Sequence, residues 1–418
     1  MVKRIINFWR EWCTLRHLKH KQVENVQALE TPAASVIETS GKTTGNKLSV
    51  KLEKFLTSHY EFRYNVLTEQ AEVRKKENDK FRPVNQRVAN TLCLHAQEEG
   101  IACWDKDVIR YLNSERLPDF HPLLTYMAEL PEWDGIDRVT PLAERISTKE
   151  IWMKGFHRWM LGVAAQWSGQ MNRCANSLAP MLISTCQGMG KSTFCRRLMP
   201  DSLADYYTDS FDLNSQGACE QKLSLFGLIN MDEFDRYSER SQATLKNLMQ
   251  LRKLTFRKSH RSYYSQLPRI ASFIGTSNQK ELLTDSTGSR RFLCVEVKKK
   301  IDCNPPDYAQ LYAQLKTELL AGERFWFSAE EEKEIQENNR AFYKQSPAQE
   351  IFFRCFRLPK DEEAGRMMTA TEIFCRLQKK FPSALRKSNA SQMGKVLQAI
   401  GVQRTHTRMG NTYYVVPV

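Results

Sequence analysis

The 418-residue chain contains no apolar run near the ~20 residues that a membrane-spanning helix requires. Its opening, "MVKRIINFWREWCTLRHLKHKQ", is too basic and too short in apolar core for a secretory signal. A membrane-embedded or exported protein is thereby not expected, and the cytoplasm is the expected location. The eleven cysteines stand singly, without a CxxC pair or a Cys/His cluster at zinc-ligand spacing. A zinc-built fold is excluded on that count, and reduced, mostly buried thiols are the reading that remains. No internal repeat occurs. Acidic residues are also in short supply, 48 against 62 Lys and Arg, and the net charge of +14 suggests a polyanionic partner.

At this length two or three folded units are expected. Residues 1–47 read as a tail and linker, with six Lys/Arg against one Glu in the first 22 positions, followed by the Thr, Ser, Ala and Gly-rich "ALETPAASVIETSGKTTGNK". A basic helix touching a membrane surface or a partner is the other reading of the tail. Residues 48–150 read as a helical domain: in "VNQRVANTLCLHAQEEG", Val84, Val88, Leu92 and His95 recur every three or four positions before a stop at Gly100. Residues 151–300 change character. The runs "APMLIST", "LSLFGLINMDE", "IASFIGTSN" and "RRFLCVEV" alternate with helical stretches and predict a three-layer α/β core with a largely parallel sheet. A charged helical extension over 301–348 follows, and then residues 349–418, where "MGKVLQAIG" precedes two β-like runs around "MGNTYYVVPV" in the manner of a winged helix.

The α/β segment carries the chemistry. In "TCQGMGKST", residues 185–193, a strand-like run leads into a glycine loop and then a helix. The pattern G-x-x-x-x-G-K-[ST] turns consecutive backbone N–H groups toward a β-phosphate, with the lysine on the β and γ phosphates and the next hydroxyl on Mg²⁺. Gln187, Gly188, Met189, Gly190, Lys191, Ser192 and Thr193 are the candidate nucleotide-binding residues, and Ser192 with Asp232 is the candidate metal pair. Thr185 departs from the pattern's opening glycine, a tolerable change if its φ is negative. Asp232 and Glu233 end a second apolar run, 41 residues after Lys191, and suit a metal and an attacking water respectively. Asp235 is a weaker candidate. Asn278, at the end of "SFIGTSN", is placed to sense a γ phosphate, and Arg290 or Arg291 could stabilise transition-state charge in a neighbouring subunit. Taken alone, the loop also reads as an ordinary Gly-rich turn before a helix, the carboxylates as a solvated acidic turn at a strand end, and the arginines as a basic pair capping a strand.

Taken together, "FHPLLTYMAELPEWDGIDRV", "CQGMGKST", "MDEFD", "FRKSHRSYYSQLPRIASFIGTSN" and "LLTDSTGSRRF" resemble the virulence-associated protein E family of phage- and island-encoded P-loop proteins, over roughly residues 120–300. The flanks look like those of Bacteroidetes-type members that end in a domain of unknown function. The family is similar to superfamily 3 helicases within the AAA+ class, which act as hexameric rings. The resemblance implies ATP and Mg²⁺ as cofactors, a homo-oligomer, and ATP hydrolysis coupled to DNA, single- or double-stranded, with no membrane partner. No primase-like carboxylate pair or zinc constellation stands in the N-terminal region.

Two stretches are the expected DNA contacts. In "LRKLTFRKSHRSYYSQLPR", Arg252, Lys253, Arg257, Lys258, Arg261 and Arg269 interleave with Phe256, Tyr263 and Tyr264, so cations could track phosphates while aromatics stack on bases; the alternative makes Arg257 and Arg261 nucleotide-site or subunit-interface groups and the rest a solvated face. From Ala364 to Val418 nine Lys/Arg face a single Glu, and Lys387, Lys395, Arg404 and Arg408 could grip a duplex backbone, a winged helix used for protein contact being the alternative. An ATP-driven DNA motor or replication initiator of a mobile element is the expected function. An ATP-controlled oligomeric switch, regulatory or directed against phage, shares every site residue.

Overall fold

The computed structural model describes residues 42–76, 80–170, 174–213, 216–256, 265–284, 289–344, 347–359, 365–386, 388–407 and 410–418. Helix α1 (Lys42–His59) runs directly into strands β1 (Tyr60–Asn65) and β2 (Gln70–Lys75), an antiparallel pair. Short strands β3 (Arg82–Pro83) and β4 (Asp119–Phe120) complete a sheet of order β3-β2-β1-β4. Helices α2 (Gln86–Glu98) and α3 (Asp105–Leu112) close over it, the first begun by Asn85, whose side chain accepts from the Val88 amide. Residues 48–150 are therefore not all-helical. "YEFRYN" and "QAEVRK" are six residues each and carry charges on their outward positions, so their alternation is weak beside the helical stretches around them.

The core of this unit ends at Leu117, and from Leu123 onward buried residues belong to a different cluster. Helices α4 (Pro122–Glu129), α5 (Val139–Glu144) and α6 (Glu150–Trp167) pack on the central sheet instead, with Trp152, Trp159 and Trp167 of α6 among the largest fully buried side chains. That sheet contains β5 (Ala179–Ile183), β6 (Tyr207–Thr208), β7 (Leu228–Met231), β10 (Ser272–Ser277) and β11 (Phe292–Glu296) in the order β11-β5-β10-β7-β6, all parallel. Alternate residues explain the three layers: Leu182, Ile274 and Leu293 join the α6 side, while Met181, Phe273 and Phe292 join the other. A parallel sheet covered on both faces needs such continuously apolar strands.

Between β5 and β11 the chain adds α7 (Lys191–Arg197), α8 (Gln216–Leu225) and α9 (Glu239–Leu248), and then a two-stranded antiparallel hairpin of β8 (Lys253–Phe256) and β9 (Ser265–Pro268). Helices α10 (Tyr308–Ala321) and α11 (Ala329–Asn338) return to the α6 layer. Tyr312 of α10 stacks on Trp167 at 4.9 Å, and Tyr126 of α4 donates its hydroxyl to the Tyr308 carbonyl. The stretch expected as an extension is thus part of the central core.

Residues from α12 (Pro347–Cys355) onward form a separate apolar cluster with α13 (Ala370–Lys380) and α14 (Ala390–Ala399). The eight-residue strand β15 (Gly410–Pro417) pairs antiparallel with β12 (Phe356–Arg357), β13 (Arg366–Thr369) and β14 (Arg404–Thr407). Among the described residues, no helix is long and apolar enough to cross a membrane.

Candidate functional site

The carboxyl ends of β5, β7 and β10 converge on one edge of the parallel sheet, where open α/β folds place their ligands. The 184–190 loop leaves β5 there. Its amide at Ser184 donates to the Ser277 carbonyl at 3.1 Å, which ties the loop to β10. Gly188 and Gly190 take left-handed φ values of 73° and 87°, and a Cβ on Gly190 would stand 2.9 Å from Cys303 Sγ. Among the described residues only Glu69 and Glu233 adopt positive φ without being glycine, so Thr185 occupies its position without strain.

Lys191 opens α7 and is 7% exposed; its ammonium donates to Asn278 Oδ1 at 2.9 Å and to the Ser184 carbonyl at 3.3 Å. Burial pulls the Lys191 pKa below the ordinary lysine range, and the negative charge of Asp232 opposes that shift. Ser192 donates to Asp232 Oδ1 at 2.9 Å, and Thr276 of β10 donates to the same oxygen. Glu233 holds a left-handed φ of 50°, and its carboxylate pairs with Arg236 at 2.7 Å. Asp235 accepts from Ser277 Oγ at 2.9 Å and from the Asn278 amide at 3.2 Å, so it fixes the segment that carries Asn278. Lys191, Ser192, Asp232, Glu233 and Asn278 therefore stand together, as one ammonium, one hydroxyl, two carboxylates and one carboxamide.

Gln187, Gly188 and Thr193 are exposed around this group, and Met189 is half-buried. The Met189 carbonyl accepts from the Ile301 amide at 3.0 Å, and the Cys303 thiol donates to the Gly190 carbonyl at 3.4 Å. Residues 301–303, just past β11, thus brace the loop from behind. Nothing in their sequence announced it. Thr276 was missed as well, although it stands two residues before Asn278 and shares its side of the strand.

Arg290 and Arg291 are not part of the group. They precede β11, whose Phe292 pairs with Ala179 and whose Glu296 pairs with Ile183. They therefore lie at the amino edge of the sheet, roughly 15 Å from the 184–190 loop at ~3.3 Å per strand residue. Arg290 is exposed and pairs with Glu332 of α11 at 2.8 Å, while Arg291 is half-buried.

Of the expected DNA contacts, Arg257, Lys258, Arg261, Tyr263, Lys387 and Arg408 lie outside the described residues, and Lys395 and Arg404 are exposed on α14 and β14. Arg269 corrects the expectation made for it. It is 1% exposed, and its guanidinium donates to the carbonyls of Leu251, Ala271 and Asn176, so it clamps the root of the hairpin rather than facing a ligand.

With that geometry in place, comparisons with known proteins fix the lineage. The model of the virulence-associated protein E-like domain matches residues 127–344, and the domain of unknown function DUF3874 matches residues 345–415. No curated protein matches the chain. Among solved structures, the apo C-terminal region of NrS-1 is similar at 11% identity, with 89% of this chain and 99% of that chain covered and a TM-score of 0.43. Its A form is similar at 12% identity over 88% and 99%, with a TM-score of 0.42. The family model spans more than half of the sequence, and the chain belongs to the virulence-associated protein E-like family.

Proposed function

We propose that the protein is a Mg²⁺-dependent ATPase of the P-loop type that acts on DNA as an oligomer. The observation that carries this is the joint placement of a nearly buried Lys191, contacted by a carboxamide and a carbonyl, beside the Ser192–Asp232 pair at the mouth of a glycine loop. Buried ammonium groups are costly unless paired, and phosphate oxygens supply the missing countercharge. A hydroxyl and a carboxylate oxygen 2.9 Å apart fit Mg²⁺, which takes one or two protein oxygens and completes its shell with phosphates and water. Once bound, the metal would neutralise charge on the β and γ phosphates.

The residues would divide the work. The amides of residues 187–192 bind phosphate, Lys191 reaches the β and γ oxygens, Glu233 orients the attacking water and Asn278 positions the γ phosphate against it. Glu233 must first leave Arg236, an exposed pair of small worth. Because Arg290 and Arg291 stand at the far edge of the sheet, either of them serves a neighbouring subunit's site or none. Exposed Lys395 and Arg404, on a C-terminal unit read as a winged helix, and the β8–β9 hairpin supply the DNA contacts.

Steady-state hydrolysis tests the reading. Wild-type protein with Mg²⁺ and single-stranded DNA should hydrolyse ATP, and Lys191→Ala and Glu233→Gln should each lower kcat at least ~100-fold, a loss of ~2.7 kcal/mol or more in transition-state stabilisation. A Lys191→Ala protein with normal turnover would refute it.

A further inference from the structure

A groove of about 870 Å³ opens in the N-terminal unit between strands β2 and β3 and helix α2. Strand register decides what lines it. Tyr60 pairs with Lys75 and Val73 with Arg82, so these four share one face of the sheet, the face on which α2 packs. The Tyr60 hydroxyl meets His95 Nδ1 of α2 at 2.9 Å and forms the floor. Beyond that contact the helix and the sheet edge diverge. Lys75, Lys80 and Arg82 stand exposed on the strand side and Leu94, 59% exposed, on the helix side.

The charge of this unit is segregated rather than abundant. Residues 48–120 contain twelve Lys/Arg and twelve Asp/Glu, yet six of those cations and only two of the acids, Glu77 and Asp79, fall between Arg74 and Arg87. Glu98 is the groove's lone carboxylate against four cations, counting Arg74, which is paired with Glu61. Lys75, Lys80 and Arg82 make no ion pair among the described residues. Cations in a row that pair with no described carboxylate create a potential suited to a polyanion. The floor is different in kind: Tyr60, His95 and Leu94 offer ring and aliphatic surface level with the charges.

We propose that this groove binds single-stranded nucleic acid, with Lys75, Lys80 and Arg82 on successive phosphates and bases against His95 and Leu94. Cationic walls that track a backbone, beside flat side chains on which bases stack, are how single strands are held without sequence preference. A duplex keeps its bases inside the stack and would leave the apolar floor uncovered. The site lies in a different unit from the nucleotide site, so it does not depend on the ATPase reading.

The test uses the full chain and a fluorescein-labelled oligothymidylate, with no nucleotide present. Anisotropy titrations are run across a salt series for wild type and for Lys75→Gln/Lys80→Gln/Arg82→Gln. Each phosphate contact on a single strand contributes ~0.7 to the slope of log affinity against log salt, so the triple variant should lose about 2 from that slope and bind at least about 10-fold more weakly at low salt. Photo-reactive benzoylphenylalanine in place of Leu94 should crosslink the labelled strand in the otherwise wild-type chain and lose the crosslink in the triple variant. Because the three substituted side chains are exposed, circular dichroism should be unchanged. An unchanged salt slope together with no crosslink at position 94 overturns the proposal. So does a crosslink to a second copy of the chain in place of the strand, or capture of duplex at position 94 in preference to the single strand.

Discussion

Replacing Arg269 with methionine would remove the charged clamp at the hairpin root while keeping a side chain of similar reach. Three carbonyl oxygens receive the guanidinium: Leu251 at 2.8 Å, and Ala271 and Asn176 at 3.0 Å each. The Ala271 oxygen would keep Gln166 Nε2 at 2.9 Å, and the carbonyl of exposed Leu251 can turn to water, so one buried acceptor, that of Asn176, would be orphaned. At ~1–3 kcal/mol for the unsatisfied buried acceptor and ~1 kcal/mol for the half-exposed bond to Leu251, the loss is about 2–4 kcal/mol. A return acts against it. Arg269 has no carboxylate partner among the described residues, and burial pulls its pKa down to about 9, so removing the charge relieves desolvation. The net expectation is a destabilisation of about 1–3 kcal/mol. In a core of this size that lowers Tm by roughly 2–12 °C, readable by tryptophan fluorescence because Trp159 and Trp167 sit in the same layer. Arg269→Lys, which keeps the charge but not the fork, should fall between the two. A methionine variant that melts at or above the wild-type temperature would show that the clamp's hydrogen bonds contribute nothing net.

Two further outcomes follow from the geometry. Gly190→Ala forces a left-handed φ of 87° on alanine at ~1–2 kcal/mol and drives its Cβ to 2.9 Å from Cys303 Sγ. Binding of a fluorescent ATP analogue should weaken by about 10-fold or more, and Cys303→Ala should restore part of it by removing the contact but not the φ penalty; no rescue would discount the 301–303 brace. Stability should also decline at both ends of the pH range. Burial lowers the His121 pKa to about 4, below its unfolded ~6.5, so its contribution is complete above ~6.5 and is lost as pH falls toward 4. The hydrogen bond from His157 to Glu318, 2.7 Å long, raises the His157 pKa, so that contribution is complete below ~6.5 and is lost as pH rises through the folded value. Tm measured against pH should lose its acid limb in His121→Asn, which can still cap α4, and its upper limb in His157→Gln; limbs unchanged in both variants would refute the assignments.

The sequence by itself determined the main strands of the central sheet and the residues that gather at its carboxyl edge. Strands buried on both faces must be continuously apolar, so 179–183, 228–231, 272–277 and 292–296 are visible as runs, and the loop at 185–193 is visible because its glycines, lysine and hydroxyl stand at a recognisable spacing. Asp232, Glu233 and Asn278 were legible because each follows directly on such a run. Other features depended on the tertiary structure, because they arise from pairing between distant residues. The β1–β2 sheet shows only half-buried, charged alternation, and its groove exists because register sets Lys75 beside Tyr60 and Arg82 beside Val73. Thr276 acts through Asp232, and Ile301 and Cys303 act through the backbone of the 184–190 loop, contacts that leave no local pattern. Arg269 reads in sequence like its basic neighbours, and burial alone turns it from a candidate ligand into a clamp. The place of Arg290 and Arg291 follows from β11 running parallel to β5, which sets their end of the strand at the edge of the sheet away from the glycine loop.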